Sequence, residues 1–295
     1  MNAERPALLV EAVKNLGSAF NPLREWVERW SVRRASEAHD RSRPFALWQE
    51  LSERTSARLL VEGREILELG PGRSLGMSLI FLAAGARRVY AVDRFRHLFW
   101  DDLDRQHIVG VLERLEAERW PYAEVARRAV GRLDRGSASL DRDLLVYHQA
   151  DGANLPLAEG SVDVSYSNAV LEHVHRPEAV VRELARVTRR AGDSIHEIDF
   201  RDHFVQRNRL RFLEFPEWEW QLRARLRPGY TNRLRMLDFH RIFEQAGFAM
   251  LDGKATNVFQ AKEIEEARKR LIDRFRGRSV EELSTASYWG WWRRS

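Results

Sequence analysis

Glu65-Ile66-Leu67 reads as the start of a short buried strand and runs into Glu68-Leu69-Gly70-Pro71-Gly72. Ser78 to Ala84 then reads as an apolar helix, and Arg88-Val89-Tyr90-Ala91-Val92-Asp93 as a second strand. A strand, a glycine turn, a helix and a strand ending in a carboxylate form a nucleotide-binding βαβ unit. Glycines at the turn let the backbone approach a ligand where a Cβ would block it. Asp93 is placed to accept hydrogen bonds from two ribose hydroxyls.

The spacing discriminates between nucleotides. A dinucleotide fingerprint needs a third glycine three residues after the second, but position 75 is Leu and the next glycine is Gly76. Glu68 also sits at the tip of the first strand, where its charge would repel a pyrophosphate and hold an ammonium. S-adenosylmethionine carries adenosine, an α-amino group and no phosphate, so the pattern favours it over NAD. Here the chain resembles the class I S-adenosylmethionine-dependent methyltransferases.

The order of the following landmarks extends that resemblance. Leu144 to Gln149 reads as the third strand, followed by Asp151 and Gly152. Val162 to Ser167 is the fourth, leading into Asn168-Ala169-Val170-Leu171-Glu172-His173-Val174. Pro177 to Arg189 reads as an amphipathic helix stopped by Arg189-Arg190-Ala191-Gly192, and Ser194 to Asp199 as strand five. This order is similar to the small-molecule, type 11-like branch of that family. It implies an α/β fold: a Rossmann-like, seven-stranded, mostly parallel sheet with an antiparallel last strand, helices on both faces and an extra helical cap.

The division expected is a helical cap over 1–60 and a methyltransferase domain over 61–295, with helical insertions at about 97–142, longer than a minimal crossover requires, and at about 204–230. Leu23, Trp26, Val27 and Trp30 make one helical apolar face, read as packing over a core or forming a lid. In the first insertion two helices break at Pro121, and Gly136-Ser137-Ala138-Ser139 closes them as a loop. Beyond strand five, Thr231 to Arg235 starts a helix, Phe248 to Leu251 is strand six, and Ala261 to Arg276 is a charged helix. The Trp-rich segment from Ala286 to Arg293 is the antiparallel seventh strand.

Composition excludes several chemistries. The 295 residues contain no cysteine, which removes disulfides, zinc-thiolate sites and the cysteine-adduct route to pyrimidine C5 methylation. A cytoplasmic setting is the simplest. No membrane span or signal peptide is apparent. The net charge of +5 and sequence pI near 9.8 suggest a nucleic-acid partner. However, 49 basic residues face 44 interspersed acidic ones, which favours a solvated surface. Ser167-Asn168-Ala169-Val170 replaces the Pro-Pro-Tyr motif with which relatives position a planar amine. A small molecule or glycan precursor, methylated on oxygen or nitrogen, is the expected substrate. An RNA methyltransferase and a non-catalytic S-adenosylmethionine-binding protein are the alternatives.

By resemblance, Glu68 and the Gly70-Pro71 turn hold the methionine end of the cofactor, and Gly72 lies under the nucleoside. Asp93 binds the ribose, Arg94 adjoins the adenine, and Asp151 and Gly152 meet the adenine amino edge. Asn168 and Ala169 flank the methionine portion. Catalytic candidates are His203 and Asp202, just past strand five, and His173; a histidine polarised by an aspartate is a base near neutral pH. Substrate candidates are His196, Asp199, Tyr230, Asn232 and Arg233. No metal is assigned.

Overall fold

The computed structural model describes residues 41–56, 60–72, 75–134, 136–203, 208–225 and 231–295. Tyr230 and the Leu23–Trp30 stripe lie outside the described residues. Nine strands and ten labelled helices follow, numbered along the chain over these residues.

Helix α1 (Arg43–Arg54) precedes the βαβ unit of β1 (Glu65–Leu69), α2 (Gly76–Ala83) and β2 (Arg88–Asp93). All five residues of β1 and all eight of α2 are buried. That suits a central parallel strand covered on both faces, and it buries Glu65 and Glu68 along with Ile66, Leu67 and Leu69. Next come α3 (Asp102–Ala117), α4 (Ala123–Ala129), β3 (Val130–Asp134), β4 (Ser137–Leu140) and β5 (Leu145–Gln149). Asp101 caps α3 by accepting from the amides of Leu103 and Asp104, satisfying donors that the helix leaves open. The break at Pro121 falls between α3 and α4 as the proline dictates.

Strand β6 (Val162–Asn168) and α5 (Pro177–Val187) lead into β7 (Thr188–Asp199). After α6 (Glu217–Arg225) come α7 (Met236–Gln245), β8 (Phe248–Val258), α8 (Ala261–Arg268), α9 (Asp273–Arg276), α10 (Val280–Ser284) and β9 (Thr285–Arg294).

The main sheet has the order β5-β2-β1-β6-β7-β9-β8. β9 runs antiparallel to both its neighbours, and the pairs β5–β2, β2–β1, β1–β6 and β6–β7 are parallel. The expected sheet is therefore present, with its last strand inserted between β7 and β8. Side chains of β9 alternate between faces. Trp289 packs with the α2 layer, and Trp292 stacks on Phe243 of α7 at 4.1 Å between ring centroids. The tryptophans of this strand serve the core.

Four local expectations require correction. Gly136 to Ser139 form no simple loop: β3 and β4 pair as an antiparallel hairpin with Asp134 opposite Ser137. Strand β7 starts at Thr188, so Arg189 and Arg190 belong to it. Arg189 is drawn there by Asp163 and the Gly160 carbonyl. Residues 231–235 are not helical, and α7 begins only at Met236. The Arg235 side chain is wholly buried and donates to the carbonyls of Phe200, Glu282 and Thr285, which holds its backbone extended ahead of the helix. The long charged helix is two pieces, α8 and α9, because Leu271 and Phe275 turn into a third core with Phe212 and Trp220.

Candidate active site

The order of the sheet reverses at β1: β2 and β5 lie on one side, β6 and β7 on the other. The crevice at the carboxyl ends of strands at such a switch point is where open α/β sheets bind ligands. Gly70 follows β1 directly, with φ +72°, and its amide donates to the Val92 carbonyl at 2.8 Å. A Cβ on Gly70 would lie 2.5 Å from Cγ2 of Val170. Here glycine is required twice, by backbone angle and by the close approach of the loop after β6.

Glu68 is 5% exposed, and Ser78 Oγ of α2 donates to its Oε2. Burial pushes this carboxyl up to about 7, against the lowering effect of Ser78. Asp93, at the end of β2, accepts from the amides of Gly72 at 3.3 Å and Phe95 at 3.0 Å, and His97 Nε2 lies 3.6 Å away. Burial raises the Asp93 carboxyl too, with His97 and these amides opposing. Two acids thus stand buried at the tips of adjacent strands, bracketing the glycine turn.

Further around the crevice, Asp151 is largely exposed. It accepts from the Ala153 amide at 2.9 Å and faces Arg94 Nε at 3.9 Å. Gly152 packs under Leu69 and Val180. Asn168 Oδ1 accepts from Arg43 of α1 at 3.1 Å, and Ala169 has φ +54° with its amide on the Glu197 carbonyl. The Arg43 contact joins two segments far apart in sequence and is not readable from either alone.

Beyond Ala169 lies a second cluster. Leu171 to His173 form a 3-10 turn. The rings of His173 and His203 meet edge to face at 4.9 Å between centroids. His203 Nε2 lies 3.4 Å from Asp199 Oδ2. Burial would raise the Asp199 carboxyl, but hydrogen bonds from His203 and Arg201 outweigh it and hold the group well below the usual carboxylate range. Asp199 is therefore an acid that polarises His203, a part the sequence reading gave to Asp202. Asp202 is itself buried, its amide donating to the Arg209 carbonyl at 2.7 Å.

Three substrate assignments do not survive. His196 is wholly buried within the sheet, between Ser167 Oγ and Ser194 Oγ, each at 2.7 Å, and against Phe243 and Trp292. Burial lowers its ring to about 3. Arg233 is buried and donates to the Phe215 carbonyl and Glu217. Asn232 is buried and donates to the carbonyls of Leu171 at 2.8 Å and Val174 at 3.3 Å. It braces the turn that carries His173. Sequence reasoning missed Glu172, Ser78 and Arg43. The signal for Glu172 was an acid inside the apolar run Val170-Leu171-Glu172-His173-Val174.

The model of the methyltransferase domain family matches residues 122–195. This span holds β5, β6, α5 and the start of β7, the part of the sheet that carries Asp151, Asn168 and His173. Over this span the chain is similar to the methyltransferase domain family. An uncharacterised methyltransferase of a Mycobacterium species (strain JLS) is 33% identical over 147 residues, 50% of this chain and 41% of that protein. A protein of Mycobacterium tuberculosis described as a probable S-adenosylmethionine-dependent methyltransferase is 32% identical over 146 residues, 50% of this chain and 37% of its own. The chain thus spans less than half the length of these relatives. A crystal structure of an S-adenosylmethionine-dependent methyltransferase from Mesorhizobium loti aligns with a TM-score of 0.45 at 16% identity, covering 79% of this chain and 92% of that one. The glycine turn, Glu68 and Asp93 lie N-terminal to the matched span.

Proposed function

We propose that this chain transfers a methyl group from S-adenosylmethionine to an oxygen or nitrogen of a small molecule or glycan precursor. The observation that carries the reading is the buried Glu68 at the switch point, beside a glycine turn and across from Asp93. A buried carboxylate needs a proton or a cationic partner, and the ammonium of the cofactor's methionine end supplies one. Glu68, Gly70 and Pro71 take that end, with Asn168 and Ala169 on its other side. Asp93 takes the ribose hydroxyls, Gly72 lies below the nucleoside, and Arg94, Asp151 and Gly152 border the adenine.

The sulfonium brings its own activation, so the protein has to align the acceptor and deal with its proton. His173, His203, Asp199 and Asp202 form the acceptor-side group in this reading, at the ends of β6 and β7. The domain is taken as 61–295, in a cytoplasmic setting; of the expected cap over 1–60, residues 1–40 lie outside the described residues. No helix among the described residues is long and apolar enough to cross a membrane.

The basic pI favours RNA as an alternative acceptor. Against it, several arginines are committed internally, including Arg233, Arg235 and Arg186, each donating to backbone carbonyls. Calorimetry with S-adenosylhomocysteine and with NADH tests the cofactor. Binding of NADH alone would overturn the reading. Mass spectrometry of host metabolites incubated with labelled cofactor identifies the acceptor. Filter binding of RNA across a salt series separates the alternative, because phosphate contacts give a steep salt dependence.

A further inference from the structure

We infer that Glu172, His173 and His203 form a site for one divalent transition-metal cation, on the acceptor side of the crevice. Each offers one ligand atom, and these atoms all lie within 4.8 Å of one another. That is the spread of a set that can close on a single ion, and two imidazoles with one carboxylate suit Mn²⁺, Fe²⁺, Co²⁺ or Zn²⁺ better than Mg²⁺ or Ca²⁺.

A second observation points to a ligand independently. Glu172 is 1% exposed, and neither of its carboxylate oxygens has a hydrogen bond of ordinary geometry. Its own amide and that of Asp199 are the backbone donors facing it, and His173 Nε2 stands 3.9 Å from Oε1. Buried carboxylates are ordinarily satisfied, since leaving one unpaired is costly. A cation between Glu172 and the two rings would satisfy it.

The surroundings are built to hold the set in place. Asp199 Oδ2 faces one ring nitrogen of His203 at 3.4 Å, the carboxylate–histidine arrangement that orients metal-bound imidazoles. Arg201 in turn pins Asp199 through Nε at 2.8 and 3.0 Å. On the other side, the Asn232 side chain holds the 3-10 turn, and its amide donates to the Glu172 carbonyl at 2.6 Å. The buried Asn232 and the Arg201–Asp199 pair thus acquire a common purpose.

This inference rests on the methyl-transfer reading for its role and deepens it. With three protein ligands, a cation retains positions for an acceptor oxygen. A coordinated hydroxyl loses its proton to solvent more readily. The oxygen then forms the bond to the methyl carbon, the carbon–sulfur bond breaks with its electron pair passing to sulfur, and a neutral thioether leaves. The histidines act as ligands here, and no protein base is needed.

The test uses tag-free full-length protein treated with a chelator and then titrated with Co²⁺ and Mn²⁺, followed by calorimetry and, for Co²⁺, visible absorption. Stoichiometric 1:1 binding is expected. Glu172→Gln and His203→Ala should abolish it, and Asp199→Asn should weaken it about 10- to 100-fold. S-adenosylhomocysteine affinity, measured on the same samples, should be unchanged, which also reports that each variant is folded. If Glu172→Gln does not fold, the exposed His203→Ala carries the test. Absence of 1:1 binding, or equal binding by wild type and His203→Ala, overturns the cation site while leaving the cofactor reading intact. Loss of S-adenosylhomocysteine binding in the wild type would sink the cofactor reading alone.

Discussion

In the proposed reading, Glu68 links protonation, stability and cofactor binding in one side chain. Burial lifts its carboxyl from an ordinary 4.5 to about 7. At 1.36 kcal/mol per pH unit, that rise corresponds to about 3 kcal/mol at most. Between those two values the folded protein keeps a proton that the unfolded chain has released, so stability conferred by this group is full below pH 4.5 and falls as pH rises through 7. Glu68→Gln keeps the shape and the Ser78 neighbour but removes the charge. The variant should therefore gain up to about 3 kcal/mol over wild type at pH 8 and little at pH 4.5. Urea denaturation of both proteins, without cofactor, at pH 4.5, 6 and 8 measures this. Cofactor binding should show the opposite slope. An ammonium requires ionised Glu68, so wild-type affinity for S-adenosylhomocysteine should fall up to about tenfold per pH unit below 7. Glu68→Gln should bind weakly with that slope removed. A stability difference independent of pH, or wild-type affinity flat from pH 5.5 to 7, would refute the argument.

Three further outcomes follow from the same crevice. Asp93→Ala should weaken S-adenosylhomocysteine at least about tenfold by calorimetry, since it removes a charge-assisted acceptor for the ribose. Gly70→Ala should cost about 2 kcal/mol or more, from the positive φ and the contact with Val170; Val170→Ala should restore the contact part only, so a double-mutant denaturation cycle that recovers everything would refute the backbone contribution. His203→Ala should slow single-turnover methyl transfer while sparing S-adenosylhomocysteine affinity, and equal loss of both would remove His203 from the acceptor side.

The βαβ unit was legible in the sequence because its information is local. Short strand segments with a glycine turn between strand and helix signal the unit locally, and Glu68, Gly70 and Asp93 fall at the ends of β1 and β2. The insertion helices broke where Pro121 required. The hairpin of β3 and β4 was missed because Gly136 to Ser139 are turn-forming residues whose pairing depends on a partner strand. The extended path of 231–235 was missed for a similar reason: Arg235 finds its carbonyl partners on α10 and β9, far along the chain.

The sequence by itself determined where Glu68, Gly70 and Asp93 stand in the proposed cofactor half of the crevice, because each lies at or just past a strand tip. Tertiary structure alone decided the proposed acceptor half. Parallel pairing of β6 with β7 brings the 3-10 turn of Glu172 and His173 against His203 and Asp199. The same pairing seals His196 inside the sheet, and packing turns Asn232 and Arg233 inward. Side-chain type announces what a residue can do, but burial and a partner across a strand pair set which of these it does.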